Sequence, residues 1–227
     1  MNVLNQWDLA ANHYQEDQEQ SDLVKSNRQV VFNWFSALNG EKVLDLGCGY
    51  GFYTNYFSQI GGETVGVDGS AKMLELAQEN YPKCRFCHAD LEESLPWPDN
   101  EYDIVFCNQV LMDLKEAKWV MQECYRVLKP GGIFYYSIVH PAFYEGDWIA
   151  DSKGFCGAKS VKNYITPHVL KNHFWGETTH FHRHLSFYLN AAAQCGFTLV
   201  HTEEPYTYDG VNKSREIPLF FMAEYQK

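Results

Sequence analysis

A chain of 227 residues, 45% hydrophobic and 21% charged, is long enough to bury one substantial core and sits in the ordinary globular range, which excludes a disordered or fibrous protein. The formal net charge is -11 and the 18 Lys and Arg residues are scattered, so the chain lacks the basic patch that binding to a phosphate backbone needs. Nucleic acid is therefore not expected as a partner; a small molecule is.

The first residues, Met1-Asn2-Val3-Leu4, lack a basic region followed by an apolar one, and no apolar run reaches the roughly 20 residues that span a bilayer. A cytoplasmic protein without a membrane partner is expected. Residues 1–27 are polar, with Trp7, Leu9 and Tyr14 as large anchors, and Val30, Val31, Trp34, Phe35 and Leu38 then recur on one helix face until Asn39-Gly40. Residues 1–40 thus read as a helical lid. From residue 41 short β-rich runs alternate with amphipathic helices. A strand over 42–46 leads into a helix carrying Phe52, Tyr53, Tyr56, Phe57 and Ile60, which ends at Gly61-Gly62. A strand over 64–67 leads to Ser70 as N-cap and a helix burying Met73, Leu74 and Ala77. A third strand covers 85–89. Cys84 and Cys87, three apart along this extended run, face opposite sides, so they are not read as a redox pair, and seven cysteines in all argue for reduced thiols.

The apolar run 102–108 reads as a central strand, followed by a helix over 115–128, a stop at Lys129-Pro130-Gly131-Gly132 and a fifth strand over 133–139. Residues 140–183 break the rhythm, rich in aromatics and His, and read as a substrate-side insertion. Leu185, Tyr188, Leu189 and Ala192 then mark a helix ended by Gly196, with closing strands over 198–201 and 220–225. The whole predicts an α/β fold in a single domain, 1–227: a doubly wound, mostly parallel seven-stranded sheet with an insertion after strand five. Residues 41–139 form the cofactor-binding core and 184–227 the C-terminal helix and closing strands.

Gly47, Gly49 and Gly51 fall at the first strand-to-helix turn, where missing Cβ atoms let backbone approach a ligand and a helix N-terminus offers free N–H groups. A dinucleotide fingerprint would be G-x-G-x-x-G; here the third glycine comes one residue early and Asp45 precedes the turn, which disfavours a pyrophosphate. A carboxylate there suits a ligand carrying a cationic ammonium and sulfonium. Asp68 and Asp90 end the next two strands at the same sheet edge, where a carboxylate can accept ribose hydroxyls or lie near an adenine ring. Tight strand-helix packing is the alternative reading of Gly51.

In these residues the sequence resembles the class I S-adenosylmethionine-dependent methyltransferases, in particular their type 11 small-molecule branch. The resemblance rests on Asp45-Leu-Gly47-Cys-Gly49-Tyr-Gly51, Val65-Gly66-Val67-Asp68-Gly69-Ser70, His88-Ala89-Asp90-Leu91, the strand ending at Asn108, and Leu128-Lys129-Pro130-Gly131-Gly132, five motifs in order over about residues 41–139. It implies S-adenosylmethionine as cofactor, with S-adenosylhomocysteine as product. Gly47 would meet the methionine part, Asp68 the ribose, Asp90 the adenine amino group, the Leu91 backbone the ring and the Asn108 carbonyl the ammonium. Cys48, Gly49 and Gly69 complete the cofactor set. Trp7 and Tyr14 match a W-D-x-x-A-x-x-Y opening that folds over the cofactor in relatives, which adds Tyr14.

The resemblance implies methyl transfer to O, N or C of a small-molecule metabolite, by a monomer or homodimer. A catalytically inactive S-adenosylmethionine-binding regulatory protein and, further off, an NAD-dependent oxidoreductase are the alternatives. Ligands bind beyond the carboxyl ends of strands in such sheets, so acceptor residues are sought after strand five. His140 is the candidate base, and His140, Phe143, Tyr144, Trp175, His182, Tyr188 and Tyr206 the candidate pocket; His182-Arg183, Leu185-Ser186 and Tyr188 resemble an H-R-x-L-S-x-Y text of type 11 relatives. His180, His182 and His184 would share one face of an extended segment, but no acid or Cys completes a ligand set nearby, so no metal is expected.

Overall fold

A computed structural model describes residues 2–227. Two helices open the chain, α1 (Val3–Gln20) and α2 (Asp22–Trp34). The core follows as β1 (Lys42–Leu46), α3 (Phe52–Gln59), β2 (Glu63–Asp68), α4 (Ala71–Asn80), β3 (Arg85–His88), β4 (Tyr102–Asn108), α5 (Ala117–Val127) and β5 (Leu128–Val139). The insertion folds as two hairpins, β6 (Trp148–Ala150) with β7 (Cys156–Lys159) and β8 (His168–Asn172) with β9 (Thr178–His182). Helix α6 (Leu185–Gln194), β10 (Thr198–Glu203) and β11 (Phe220–Gln226) close the chain.

The seven-stranded sheet runs β10-β11-β5-β4-β1-β2-β3; β11 is antiparallel to both of its neighbours and the other pairs are parallel. Alternate residues of the central strands face opposite sides. Leu44, Leu46, Val105, Cys107, Phe134 and Tyr136 pack beneath α5 and α6, whereas Val43, Ile104, Phe106 and Tyr135 pack against α2 and α3. Both faces are therefore covered, as the apolar run of β4 requires.

Three elements differ from the sequence expectation. The first helix spans residues 3–20 without an apolar stripe, because it buries only Gln6, Ala10 and Ala11 and is tied down by polar contacts. The second stops at Trp34, before Leu38. Strand β5 starts at Leu128: register passes from Tyr102↔Leu128 to Ile104↔Ile133, so Lys129-Pro130-Gly131-Gly132 is an excursion within the strand, with Gly131 at φ +80°. All seven thiols are free, and among the described residues no helix is long and apolar enough to cross a membrane.

Candidate active site

The carboxyl ends of β1, β2, β3 and β4 meet at one edge, where α1 lies over them. Gly47, Gly49 and Gly51 have φ of +73°, +51° and +87°, the left-handed region in which a side chain is strained. Their surroundings separate their roles. A Cβ on Gly51 would press on Phe86 at 2.8 Å and Ala77 at 3.0 Å, so this glycine serves packing. A Cβ on Gly49 would meet nothing nearer than 4.0 Å; its backbone faces a cavity.

The Asp68 carboxylate organises the turn: Oδ2 accepts from Gly49 N (2.9 Å) and Oδ1 from Ser70 N (2.8 Å). Ser70 caps α4 by accepting from Met73 N, and its hydroxyl donates to Asp8 of α1 (2.6 Å), which also accepts from Lys72 N. Asp8 thereby holds α1 on the start of α4, and Leu4 comes down over Gly69. Beneath the turn Asp45 is buried and accepts from the Thr54 hydroxyl at 2.6 Å; burial pushes its pKa up to about 7.

Two cavities share this edge. The first, about 430 Å³, is lined by Gly47, Gly49, Asp68, Gly69, Asp90 and Leu91, together with Trp7 and Tyr14. The second, about 360 Å³, has Asp45, Cys48, Asn27, Tyr144, Trp175 and His180 in its wall. Trp7, Tyr14, Gly47, Gly49, Asn108, Gln109 and Asp113 line both, so the cavities adjoin. Asn108 is fixed by a Ser137 hydroxyl at 2.7 Å, and that hydroxyl also accepts from Asn27 and Gln109.

At the junction His180 Nε2 stands 3.0 Å from Asp113 Oδ1, both side chains buried. The atoms are close without being aligned as a hydrogen bond, and Asp113 Oδ1 and His180 Nδ1 have no formed partner. Burial raises the Asp113 carboxyl and lowers His180 to about 4, so burial disfavours the charged form of each. The Tyr144 ring stacks on His180, centroids 5.5 Å apart, with its hydroxyl donating to Asn172. Arg183 brings the pair together: its Nη2 donates to the carbonyls of Leu114 and Lys115 at 2.7 Å, and Phe181 N donates to Met112 O. The loop bearing Asp113 is thus fastened to the strand bearing His180.

All ten sequence-predicted cofactor residues line one or both cavities. The acceptor candidates divide: Tyr144 and Trp175 line the second cavity, whereas His140, Phe143, His182, Tyr188 and Tyr206 line neither. His140 is bound to Glu204 at 2.7 Å and stacks on Phe143, Tyr188 is core, and Tyr206 is exposed beneath Arg215. His182 lies against Glu145, 2.8 Å away. The residues that sequence reasoning missed are Asp113, His180 as a cavity group, Asn27 and Asp8. Asp8 is the acid of the W-D-x-x-A-x-x-Y opening, and the Arg183 text marks the residue that fastens the Asp113 loop.

A family model described as a methyltransferase domain, type 11, matches residues 44–136. This match covers less than half of the chain, and over it the chain is similar to the S-adenosylmethionine-dependent methyltransferases. It is 41% identical over 97 residues to an uncharacterized methyltransferase of Synechocystis sp., covering 42% of this chain and 45% of that one. It is 31% identical over 113 residues to malonyl-[acyl-carrier protein] O-methyltransferase of Pectobacterium atrosepticum, covering 50% and 44%. The chain thus spans less than half the length of these curated relatives. The crystal structure of an S-adenosylmethionine-dependent methyltransferase from Mesorhizobium loti superposes with a TM-score of 0.76 at 22% identity, covering 92% of this chain and 99% of that one, which shows the shared fold.

The donor used by these similar proteins, S-adenosylmethionine, fits the residues present. The open backbone at Gly49, the orphaned Asp113 oxygen and three carboxyls whose pKa burial raises (Asp45, Asp68 and Asp113) make a recess that favours a cation carrying hydroxyls. Asp68 has further lone pairs that ribose hydroxyls would use, and Asp90 and Leu91 line the same cavity and would stand by an adenine.

Proposed function

We propose that this chain transfers the methyl group of S-adenosylmethionine to an oxygen of a small-molecule acceptor held in the second cavity. The observation that carries this reading is the Asp113–His180 pair at the junction of the two cavities. The named relatives that methylate oxygen, acting in malonyl-[acyl-carrier protein] O-methylation and in ubiquinone biosynthesis, support the choice of oxygen.

The bound cofactor supplies a methyl group already activated by a sulfonium leaving group. The protein's task is then positioning and proton handling. Asp113 stands beside Nε2 of His180 and favours the ring proton there, which leaves Nδ1, without a partner in the protein, to accept the proton of an acceptor O–H. Tyr144 and Arg183 fix the ring and the loop, so the proton acceptor is placed before the acceptor arrives. Apolar and aromatic walls from Met112, Trp175 and Phe220 shed water and admit a small, partly apolar body.

The test is label transfer from methyl-labelled S-adenosylmethionine to a panel of phenols, carboxylic acids and amines, with product identified by mass spectrometry. An O-methyl product is expected. Label on amines alone would overturn the choice of oxygen, and tight cofactor binding with no transfer to the panel or to a metabolite extract would favour the binding-protein alternative.

A further inference from the structure

Hairpin β8–β9 sets His168 directly opposite His182 in register, so both imidazoles rise from one face, stacked with centroids 4.5 Å apart. Glu145, from the segment after β5, reaches both rings: Oε2 is 2.9 Å from His168 Nε2 and Oε1 is 2.8 Å from His182 Nδ1. The remaining nitrogen of each ring meets a backbone carbonyl at 2.8 Å, His168 Nδ1 at Thr166 and His182 Nε2 at Tyr164. A carbonyl only accepts, so those distal nitrogens carry the ring protons. In the neutral tautomers, two nitrogen lone pairs then face a carboxylate.

Lone pairs facing a carboxylate need a positive centre between them. Protons alone would place two imidazolium rings in a stack against a single carboxylate, leaving like charges in contact. A metal ion removes that conflict. Histidines that donate their far N–H to a carbonyl while presenting the near nitrogen are oriented as ligating histidines are. The three ligand atoms lie within 4.8 Å of one another. Two imidazoles and one carboxylate also form a donor set typical of zinc with an open position.

We propose that Glu145, His168 and His182 bind one divalent transition-metal ion of the zinc class, with water completing its coordination. The His182 side chain is 4% exposed and anchors the site, whereas Glu145 at 25% and His168 at 29% leave it a path to solvent. None of the three lines either cavity. The ion fastens the segment after β5 to the hairpin. Tyr144, next to Glu145, stacks on His180, two residues before His182, so the ion also steadies the wall of the second cavity. This assignment does not depend on what the chain methylates.

The test uses the full chain, stripped with chelator, then titrated with Zn²⁺ against a chromophoric competitor and separately with Co²⁺. One equivalent of Zn²⁺ is expected, with a higher thermal midpoint as a ligand of the folded state produces. The Co²⁺ form should show visible d–d bands without a thiolate charge-transfer band. Glu145→Gln and His168→Gln, both at part-exposed positions, should each weaken Zn²⁺ about tenfold or more. Absence of stoichiometric binding by the wild-type chain overturns the site, as does unchanged affinity in both variants. A thiolate band would assign the ion to cysteine and overturn it equally.

Discussion

The two cavities at the sheet edge are built in different ways. The first takes its walls largely from short stretches at the ends of β1 to β4, where glycine backbone and the carboxylates of Asp68 and Asp90 do the shaping. The second gathers Asn27, Asp113, Tyr144 and His180 from four distant parts of the chain and depends on Arg183 to hold two of them together. A site made of local backbone geometry is written in contiguous motifs. A site made of side chains converging from afar is not.

The largest expected effect lies in the second cavity. His180→Gln should lower methyl transfer to an oxygen acceptor by about 100-fold or more, the scale of a lost general base, while calorimetry shows cofactor affinity within about twofold. Equal loss of both would break the division between the cavities. Next comes the first cavity: Asp68→Ala should weaken S-adenosylmethionine by roughly 1.5–3 kcal/mol in the same calorimetric titration. Because Gly49 N and Ser70 N both lose their acceptor, the ligand-free protein should also melt lower.

A smaller effect is set by Asp45, whose folded pKa is raised to about 7 by burial. A carboxyl raised in this way is protonated in the folded state below 7, and the stability this gives the ligand-free protein falls as pH rises through 7. A cation bound beside it favours the carboxylate, so cofactor binding should release a proton and tighten as pH rises toward 7, by up to about tenfold per pH unit for one linked proton. Affinity measured from pH 5.5 to 8.5 tests this, and Asp45→Asn should flatten the profile. The smallest effect on turnover belongs to His140→Ala. Neither His140 nor its partner Glu204 lines a cavity, so turnover should stay within about twofold, while loss of a buried, hydrogen-bonded ring should lower stability by about 1–3 kcal/mol. A large fall in turnover would return His140 to the site.

What the sequence made legible follows the same division. Strands β1 and β4 begin and end where their apolar runs do, and Ser70 caps α4 as its position suggests. Helix α1 was obscured because Gln6, Ala10 and Ala11 form its buried side, and polar anchors such as Asp8 replace an apolar stripe. The run His180, His182, His184 shows why the acceptor side resists reading. One histidine goes to Asp113, one to Glu145, and the third caps α6 by accepting from Phe187 N. Three identical letters at spacing two perform three tasks, because each task is assigned by a residue from another part of the fold.

Helix α1 and the insertion meet over the shared part of the cavities, where the Trp7 and Trp175 rings lie 6.0 Å apart and the Tyr14 ring stands edge-on to both. Indole emission depends on the polarity and quenching groups around the ring, and both indoles belong to the wall of the second cavity. The protein therefore carries its own optical reporter: unlabelled tryptophan fluorescence registers when either chamber fills, and the four remaining tryptophans provide a constant background against which that change is read.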